Sequence, residues 1–394
     1  MINRLIIIGN GFDLAHGLKT KYSDFMEDYY LSIIDSGKWN DDYFECDLQG
    51  YLFKNCSNLD SILDYLRKST GYSVKEYAHK INLHGNKSIK IKNSFFYKIS
   101  KSHSIQNWVD IENEYFKSLL FIIDQASKNL ATEIEIETAV LNGITKLNLE
   151  MDAIALKFEE YLKTKVQPFI TNDEAPVKDL LDDYVNYTGN GIQYFAREFP
   201  KKYTDKNKFF VEDDLRPAFL NLFNQTMVLN FNYTSTFEYK YRSKIQNIEI
   251  INIHGMVGNK RNPINLGFGD EMSKRYGEIE DFNENEYLRL MKSFFYSDNN
   301  NYKKLFDFIE GADFQVQIMG HSCGTSDRTL LNAIFENHNC KSIKIFYHER
   351  EKDGETKDNF SDIVRNISRH FNQKTMMREK IVNKDYTEPL IRAY

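Results

Sequence analysis

The sequence is poor in cysteine, has no large excess of either charge, and lacks any long apolar run. Its four cysteines in 394 residues, Cys46, Cys56, Cys323 and Cys340, form no C-x-x-C pair. This speaks against a paired-cysteine zinc site and a disulfide framework, and it suits a reduced, cytoplasmic protein. A formal net charge of −6 gives no global basic field to recruit nucleic acid. No apolar stretch approaches the roughly 20 residues of a membrane-spanning helix. Met1 leads into an apolar run rather than a signal sequence, so no membrane association is expected. Internal repeats and low-complexity tracts are absent. Two nucleotide signatures are absent as well. Leu14 stands where a dinucleotide fingerprint has its third glycine, and no Gly-Lys-Ser/Thr of a Walker loop follows Gly9 and Gly11.

What is present is a set of short, well-separated apolar runs: Leu5–Ile8, Thr226–Phe231, Ile248–Ile253, Phe314–Met319 and Ser342–Tyr347. Most are continuous rather than alternating, as buried parallel strands are. Helical patterns separate them. Leu330, Leu331, Ile334 and Phe335 fall at helical spacing within Arg328–His338, with Asp327 placed to cap. Alternating strands and helices predict an α/β fold, a Rossmann-type parallel sheet. More than 200 residues separate the first run from the second. That interval reads as mostly helical, with Ile154, Phe158, Tyr161 and Leu162 on one stripe and Ile62, Leu63 and Leu66 on part of another. Asn86 to Gln106 reads as a polar loop or hairpin. A bare crossover of that length is improbable. Residues 1–25 and 220–394 are therefore expected to form a discontinuous nucleotide-binding α/β domain, with a mostly helical domain inserted at 26–219. The tail after Asn383 reads as loosely packed. The 25 tyrosines and 29 phenylalanines are assigned to core packing.

Candidate chemistry collects in the loops after the runs. These are Gly9-Asn10-Gly11-Phe12-Asp13, Asn230-Phe231-Asn232-Tyr233-Thr234, His254-Gly255, and Gly320-His321-Ser322 through Asp327. Ligands of open α/β sheets bind outside the carboxyl ends of the strands, where these loops lie. The glycine turn offers backbone N–H groups to a phosphate. A histidine with an ordinary pKa of ~6.5 suits proton transfer near neutrality, which points to His254. Asn232 has an amide to orient a water or a ribose hydroxyl, and Asp13 and Ser322 have oxygens for ribose hydroxyls. Each also has a plainer reading. Asn232 is a turn residue, His254 a satisfied buried histidine, and His16 a capping or surface residue, with His321 equally open. Trp108, Asp110, Glu112 and Glu114 form an aromatic–acidic cluster in the helical interval. On a helix its acids point mostly outward. The alternative is that an acid such as Glu112 reaches the cleft to bind substrate or a metal, magnesium or manganese rather than zinc. Gly320-His321-Ser322-Cys323-Gly324 is also a literal G-x-S-x-G elbow. That serine-hydrolase reading leaves Gly9–Gly17 and Asn232 without a task, and it needs a helix that starts at the serine.

The amino-terminal motif, with Asn230-Phe231-Asn232-Tyr233-Thr234, Ile253-His254-Gly255, Gly320-His321-Ser322 and Trp108-Val109-Asp110-Ile111-Glu112, resembles the AbiH family of bacteriophage abortive-infection proteins. More distantly it is similar to the sirtuin fold. Gly9, Gly17 and Leu18 match the glycine loop, with Lys19 where sirtuins have proline. Thr234 stands where an acid is usual. The four-cysteine zinc ribbon of sirtuin deacetylases is missing. The resemblance implies the branch that consumes NAD in antiphage defence, with NAD or a related nucleotide as substrate and no zinc. It implies catalysis by Asn232 and His254, and nucleotide contacts from Gly9, Asn10, Gly11, Phe12, Asp13, His16, Tyr233, Gly320, His321, Ser322 and Asp327. Trp108 and Glu112 are placed one step further out. A phage-derived trigger or partner protein and a homo-oligomer are implied partners. A nucleotide-sensing protein without turnover, or a nuclease using the acidic cluster, are the alternatives.

Overall fold

The computed structural model describes residues 2–36, 39–46, 80–83, 87–106, 110–129, 132–171, 176–177, 181, 184–186, 191–207, 219–352 and 354–390. The stripe at Ile62, Leu63 and Leu66, together with Cys56 and Trp108, lies outside the described residues.

All five apolar runs are strands of one parallel sheet. They are β1 (Ile2–Ile8), β2 (Phe223–Asn230), β3 (Ile248–Asn252), β4 (Phe314–Met319) and β5 (Cys340–Phe346), in spatial order β5-β4-β1-β2-β3. Every residue of β1 and of β4 is buried, and although β4 alternates apolar residues with Gln315 and Gln317, those amides are hydrogen-bonded, Gln317 to Gln315 and Gln315 to Ser342. The two-residue side-chain period still divides the sheet into two faces. Leu5, Ile7, Met227, Leu229, Val316 and Ile318 pack one face, and Ile6, Ile8, Val228 and Met319 the other. The register places Ile8 beside both Asn230 and Met319, and Asn230 beside Asn252. Four strand ends are therefore level, and the loops that follow them start side by side. All five strands run parallel, but the order in which they are added reverses at β1: β2 and β3 lie on one side of it, and β4 and β5 on the other. This is the doubly wound order, and its crevice lies at that reversal.

Helices occupy much of the interval between β1 and β2: α1 (Asn10–Ala15), α2 (Tyr22–Ser36), α3 (Ser94–Gln106), α4 (Ile111–Asn129) and α5 (Glu133–Tyr161). A full capping box starts α5, in which Thr132 accepts from the Glu135 N–H and Glu135 reaches back. Val140, Ile144, Leu147, Met151, Ile154 and Phe158 form its buried stripe. They share a core with Phe25, Phe96, Tyr115 and Leu119 and also with Leu266, Phe268, Tyr287 and Met291 from the β3–β4 connection. The rings of Phe116 and Phe268 stack at 4.0 Å. The helical region is thereby packed onto the segment that leads back into the sheet.

Two sequence expectations are corrected. Asn86–Gln106 is only partly a hairpin. Lys87–Ile91 pairs antiparallel with Lys80–Leu83, but Ser94–Gln106 is helix. Phe95, Phe96 and Ile99 bury one side of it among the lysines and serines, Asn93 accepts from the Phe96 N–H, and Glu150 of α5 accepts from the Ser94 and Phe95 N–H groups. The described part of the tail, 384–390, is pinned rather than loose. The Leu390 N–H donates to the Tyr347 carbonyl at 2.7 Å, and the Leu390 side chain is buried.

Candidate functional site

The glycines of the first loop serve close approach. A Cβ on Gly9 would stand 2.8 Å from the His321 Cα, and one on Gly11 would stand 2.7 Å from the Gly320 carbonyl oxygen. Gly320 itself has φ +73, and a Cβ there would lie 2.1 Å from the Phe12 nitrogen. The β1 and β4 loops are thus pressed together at the reversal point. Their N–H groups are not bare, contrary to the sequence expectation. Gly9 donates to the Met319 carbonyl at 3.3 Å and Gly11 to the Gly320 carbonyl at 2.8 Å. The β2 loop joins this seam, since Asn232 donates its side-chain N–H to the Gly9 carbonyl at 3.0 Å. Asn230 shapes that loop. Its Oδ1 accepts from the Asn232 N–H at 2.9 Å and its Nδ2 donates to Asn252 at 2.8 Å.

The first-loop side chains divide by role. Asn10 is exposed, and its amide oxygen accepts from the Thr20 hydroxyl. Phe12 is core, packed on Phe237 and Tyr241. Asp13 is buried and accepts from the Thr234 hydroxyl at 2.7 Å through Oδ2, while its Oδ1 has no partner in the described structure. Burial pushes its carboxyl up to about 6 against the pull of that hydrogen bond. His16 Nδ1 bonds the Phe12 carbonyl, which can only accept, so the hydrogen sits there. The neutral Nε2 then accepts from the Tyr241 hydroxyl at 2.6 Å. His16 is therefore committed to the aromatic cluster behind α1.

The remaining groups converge on one carboxylate. Asp327 stands at the N-cap position of α6 (Arg328–Phe335), yet its side chain makes no capping bond, contrary to expectation. Its Oδ1 accepts instead from Lys292 Nζ at 2.7 Å and lies 3.1 Å from His254 Nε2. Its Oδ2 is 3.7 Å from His321 Nε2. His321 Nδ1 accepts from the Cys323 N–H at 3.0 Å, so the neutral ring carries its hydrogen on Nε2, toward Asp327. Lys292 is fully buried and makes a second 2.7 Å bond to Glu112 in the first turn of α4. Glu112 thus points inward, not outward, whereas Asp110 caps α4 by accepting from the Asn113 N–H and Glu114 pairs with Lys117. The ammonium fills the space between Glu112 and Asp327 that a divalent ion would need. Among the described residues no group of three or more His, Cys, Asp or Glu is disposed to hold a metal.

Burial alone would raise the Asp327 carboxyl. Lys292, with His254 and His321, overrides it and holds Asp327 well below the usual range. Burial lowers His254, as does Lys292, and Asp327 opposes them without prevailing. Burial takes His321 down to about 4 and pushes Glu112 up to about 7 despite Lys292. At neutral pH the site therefore holds an ionised Asp327, a charged lysine and two neutral imidazoles. Such a cluster can accept a proton at His254 and stabilise the imidazolium through Asp327.

Tyr233 links this edge to the helices. Its hydroxyl donates to the Asn265 carbonyl at 3.3 Å, and its ring meets Phe158 of α5 edge-on at 6.0 Å. Ser322 does not join the cluster. It is exposed, its carbonyl accepts from Asn366 of α7 (Phe360–His370) at 2.8 Å, and among the described residues no histidine bonds its hydroxyl. The positive φ angles of this loop fall on Gly320 and Cys323, not on Ser322, and α6 starts at Arg328, so the elbow geometry is not met.

Sequence reasoning named Asn230 only as part of its motif, and it missed Lys292 and Asn265, whose buried amide has no partner on either atom in the described structure. For Lys292 a signal existed in Leu266-Gly267-Phe268-Gly269-Asp270, a second Gly-x-Gly lying against it.

A family model described as "Bacteriophage abortive infection AbiH" matches residues 5–349. Among curated proteins, the cytoadherence-linked asexual protein 3.1 of Plasmodium falciparum (isolate 3D7) is 23% identical over 202 residues, covering 45% of this chain and 14% of that protein. The cytoadherence-linked asexual protein 3.2 of Plasmodium falciparum is 22% identical over 202 residues, with the same coverage of 45% and 14%. The chain thus spans only 14% of the length of these relatives, a likeness that assigns nothing. No helix among the described residues is long and apolar enough to cross a membrane.

Proposed function

The chain belongs to the AbiH family of bacteriophage abortive-infection proteins, and we propose that it serves that defence by hydrolysing NAD, or a related nucleotide, to ADP-ribose and nicotinamide. The observation that carries this reading is the meeting of Asn232, His254 and Asp327, which follow three different strands, at the carboxyl edge of a doubly wound sheet. Cleavage of the nicotinamide–ribose bond passes through an oxocarbenium-like state, as other glycosidic cleavages do. Nicotinamide leaves with the bonding pair, which neutralises its pyridinium nitrogen, so no acid is required. Water adds to the ribose carbon and its proton must be taken up. His254, held neutral by burial and Lys292, accepts it, and Asp327 at 3.1 Å pairs with the imidazolium formed. Asn232, anchored through Nδ2, presents its amide oxygen to the water or a ribose hydroxyl, and Asp13 offers its unpartnered oxygen to another.

An enzyme that destroys NAD has to be restrained in the resting cell. Glu112 of α4 lies over the sheet edge, and a phage-derived trigger or self-association that moves the helical region would open the site. The burial of every one of these groups also favours a second reading, a nucleotide sensor without turnover. Incubating the purified chain with NAD, with and without lysate from phage-infected cells, distinguishes the two by chromatographic release of nicotinamide. Wild type should release it, and His254→Ala should fall by about 10²–10⁴-fold with its circular dichroism unchanged. NAD bound without release favours the sensor. No release under any condition, with His254→Ala still protecting cells, overturns the proposal.

A further inference from the structure

Lys292 has no surface at all, yet its ammonium is held by two carboxylates at 2.7 Å each. Its N–H donates to the Phe268 carbonyl at 2.9 Å. Its stem runs along two glycines, where a Cβ on Gly267 or Gly269 would come within 3.4 Å of its side-chain carbons. The same Cβ atoms would stand 2.4 Å from the Leu290 oxygen and 2.7 Å from the Ser326 oxygen. This Gly-x-Gly therefore draws 266–270 against both the segment that carries Lys292 and the residue preceding Asp327. The result is a chain of contacts from α4 through Glu112, Lys292 and Asp327 to His254. A packing role alone does not call for an ammonium here. A methionine of similar volume would avoid burying a cation and two carboxylates, an arrangement whose desolvation often cancels its Coulombic gain.

We infer that Lys292 sets the charge balance of this site: its ammonium, clamped between Glu112 and Asp327 and close to His254, works against a charged imidazole there and ties the helical region to the sheet edge. The inference rests on the reading of His254 as proton acceptor, and it predicts an effect that can be seen without any substrate. The two contacts laid end to end keep Lys292 Nζ within about 6 Å of His254 Nε2. At that range the cation disfavours a second positive charge on the imidazole, while Asp327 favours it. Other groups that face the cluster are Asp110 beside α4, Tyr22, Tyr233, Tyr296, His321, Cys323 and His370. Removing Lys292 and Glu112 together leaves them in place and leaves Asp327 opposite His254.

The test is a histidine-ring NMR titration of the full chain as wild type, Lys292→Arg, and Lys292→Met combined with Glu112→Leu, with His254→Gln to identify the signal. The double variant loses the repelling cation and keeps the attracting carboxylate. His254 should then titrate about one to two pH units higher than in wild type. Lys292→Arg should stay near wild type. If NAD is cleaved, the acid limb of the rate profile should move up with it, because His254 must be neutral to act. A folded double variant whose His254 titrates as in wild type overturns the inference. An upward shift in a protein that never releases nicotinamide upholds the influence of Lys292 on His254 and removes only the NAD reading.

Discussion

Two glycines with the same backbone angle but different surroundings allow the packing at the site to be measured apart from backbone preference. Gly320 has φ +73 and Gly258 has φ +74. Alanine at either pays the left-handed cost of about 1 kcal/mol. Around Gly258 nothing lies within 4 Å, so the cost ends there. At Gly320 the new Cβ would stand 2.1 Å from the Phe12 nitrogen and 2.4 Å from the Gly11 carbonyl carbon, both backbone atoms that no side-chain rotation can move. The start of α1 must then withdraw by more than about 1 Å from the β4 loop, at an overpacking cost of about 1–3 kcal/mol. That movement also loosens the Gly11 N–H bond to Gly320, worth about 1 kcal/mol. Gly320→Ala should therefore lose about 3–5 kcal/mol and Gly258→Ala about 1 kcal/mol. Urea unfolding followed by circular dichroism reads the difference as a shift in midpoint at constant slope. Equal losses in the two variants would refute the argument that contact between the β1 and β4 loops is what requires Gly320.

Asp13 sets a pH dependence of known sign. Its folded value of about 6 lies above the roughly 3.9 of an unfolded carboxyl, so the folded state holds the extra proton between those values. Stability contributed at this position is full below about pH 4 and falls by up to about 3 kcal/mol as pH rises to 6. Asp13→Asn should melt above wild type at pH 7 and lose that part of the slope between pH 4 and 6, and an equal or lower melting point at pH 7 would contradict the assignment. Ser322→Ala should retain nicotinamide release and phage protection within about two-fold, because its hydroxyl is exposed and unbonded by any histidine in the described structure. Abolition of either activity in a folded variant would revive the serine-hydrolase reading.

The sheet was legible because each strand concentrates apolar residues in a short run set off by polar loops. The five runs read from the sequence are the five parallel strands, and the long interval after β1 contains the expected helices. What failed were elements whose apolar residues are sparse. Phe95, Phe96 and Ile99 are enough to seat α3, but they are diluted by Lys98, Ser100 and Lys101. Nor does any local pattern announce that the tail reaches the edge of β5, because its bonds, from the Leu390 N–H to the Tyr347 carbonyl and from the Thr387 hydroxyl to the Ile345 carbonyl, join distant segments.

The site was legible in part, and the division has a physical cause. A loop directly after a strand inherits its position from the sheet, so Asn232, His254, His321 and Asp327 were found by asking which polar residues end apolar runs. Lys292 ends no such run. It stands in Leu288-Arg289-Leu290-Met291-Lys292-Ser293-Phe294-Phe295, where a lone lysine reads as a solvated residue. Its burial follows from long-range geometry, namely two glycines that let the Phe268 segment approach and two acids separated by 215 positions in sequence, Glu112 and Asp327. The same geometry reversed the expectation for Glu112. Periodicity places a helix's acids relative to its own axis, but it cannot see that a buried cation waits beside the first turn. A carboxylate buried next to an ammonium keeps its charge only while that partner is held. The helical region and the sheet edge are therefore coupled through Lys292, and any movement of α4 that frees Glu112 alters the charge balance at Asp327 and His254 together.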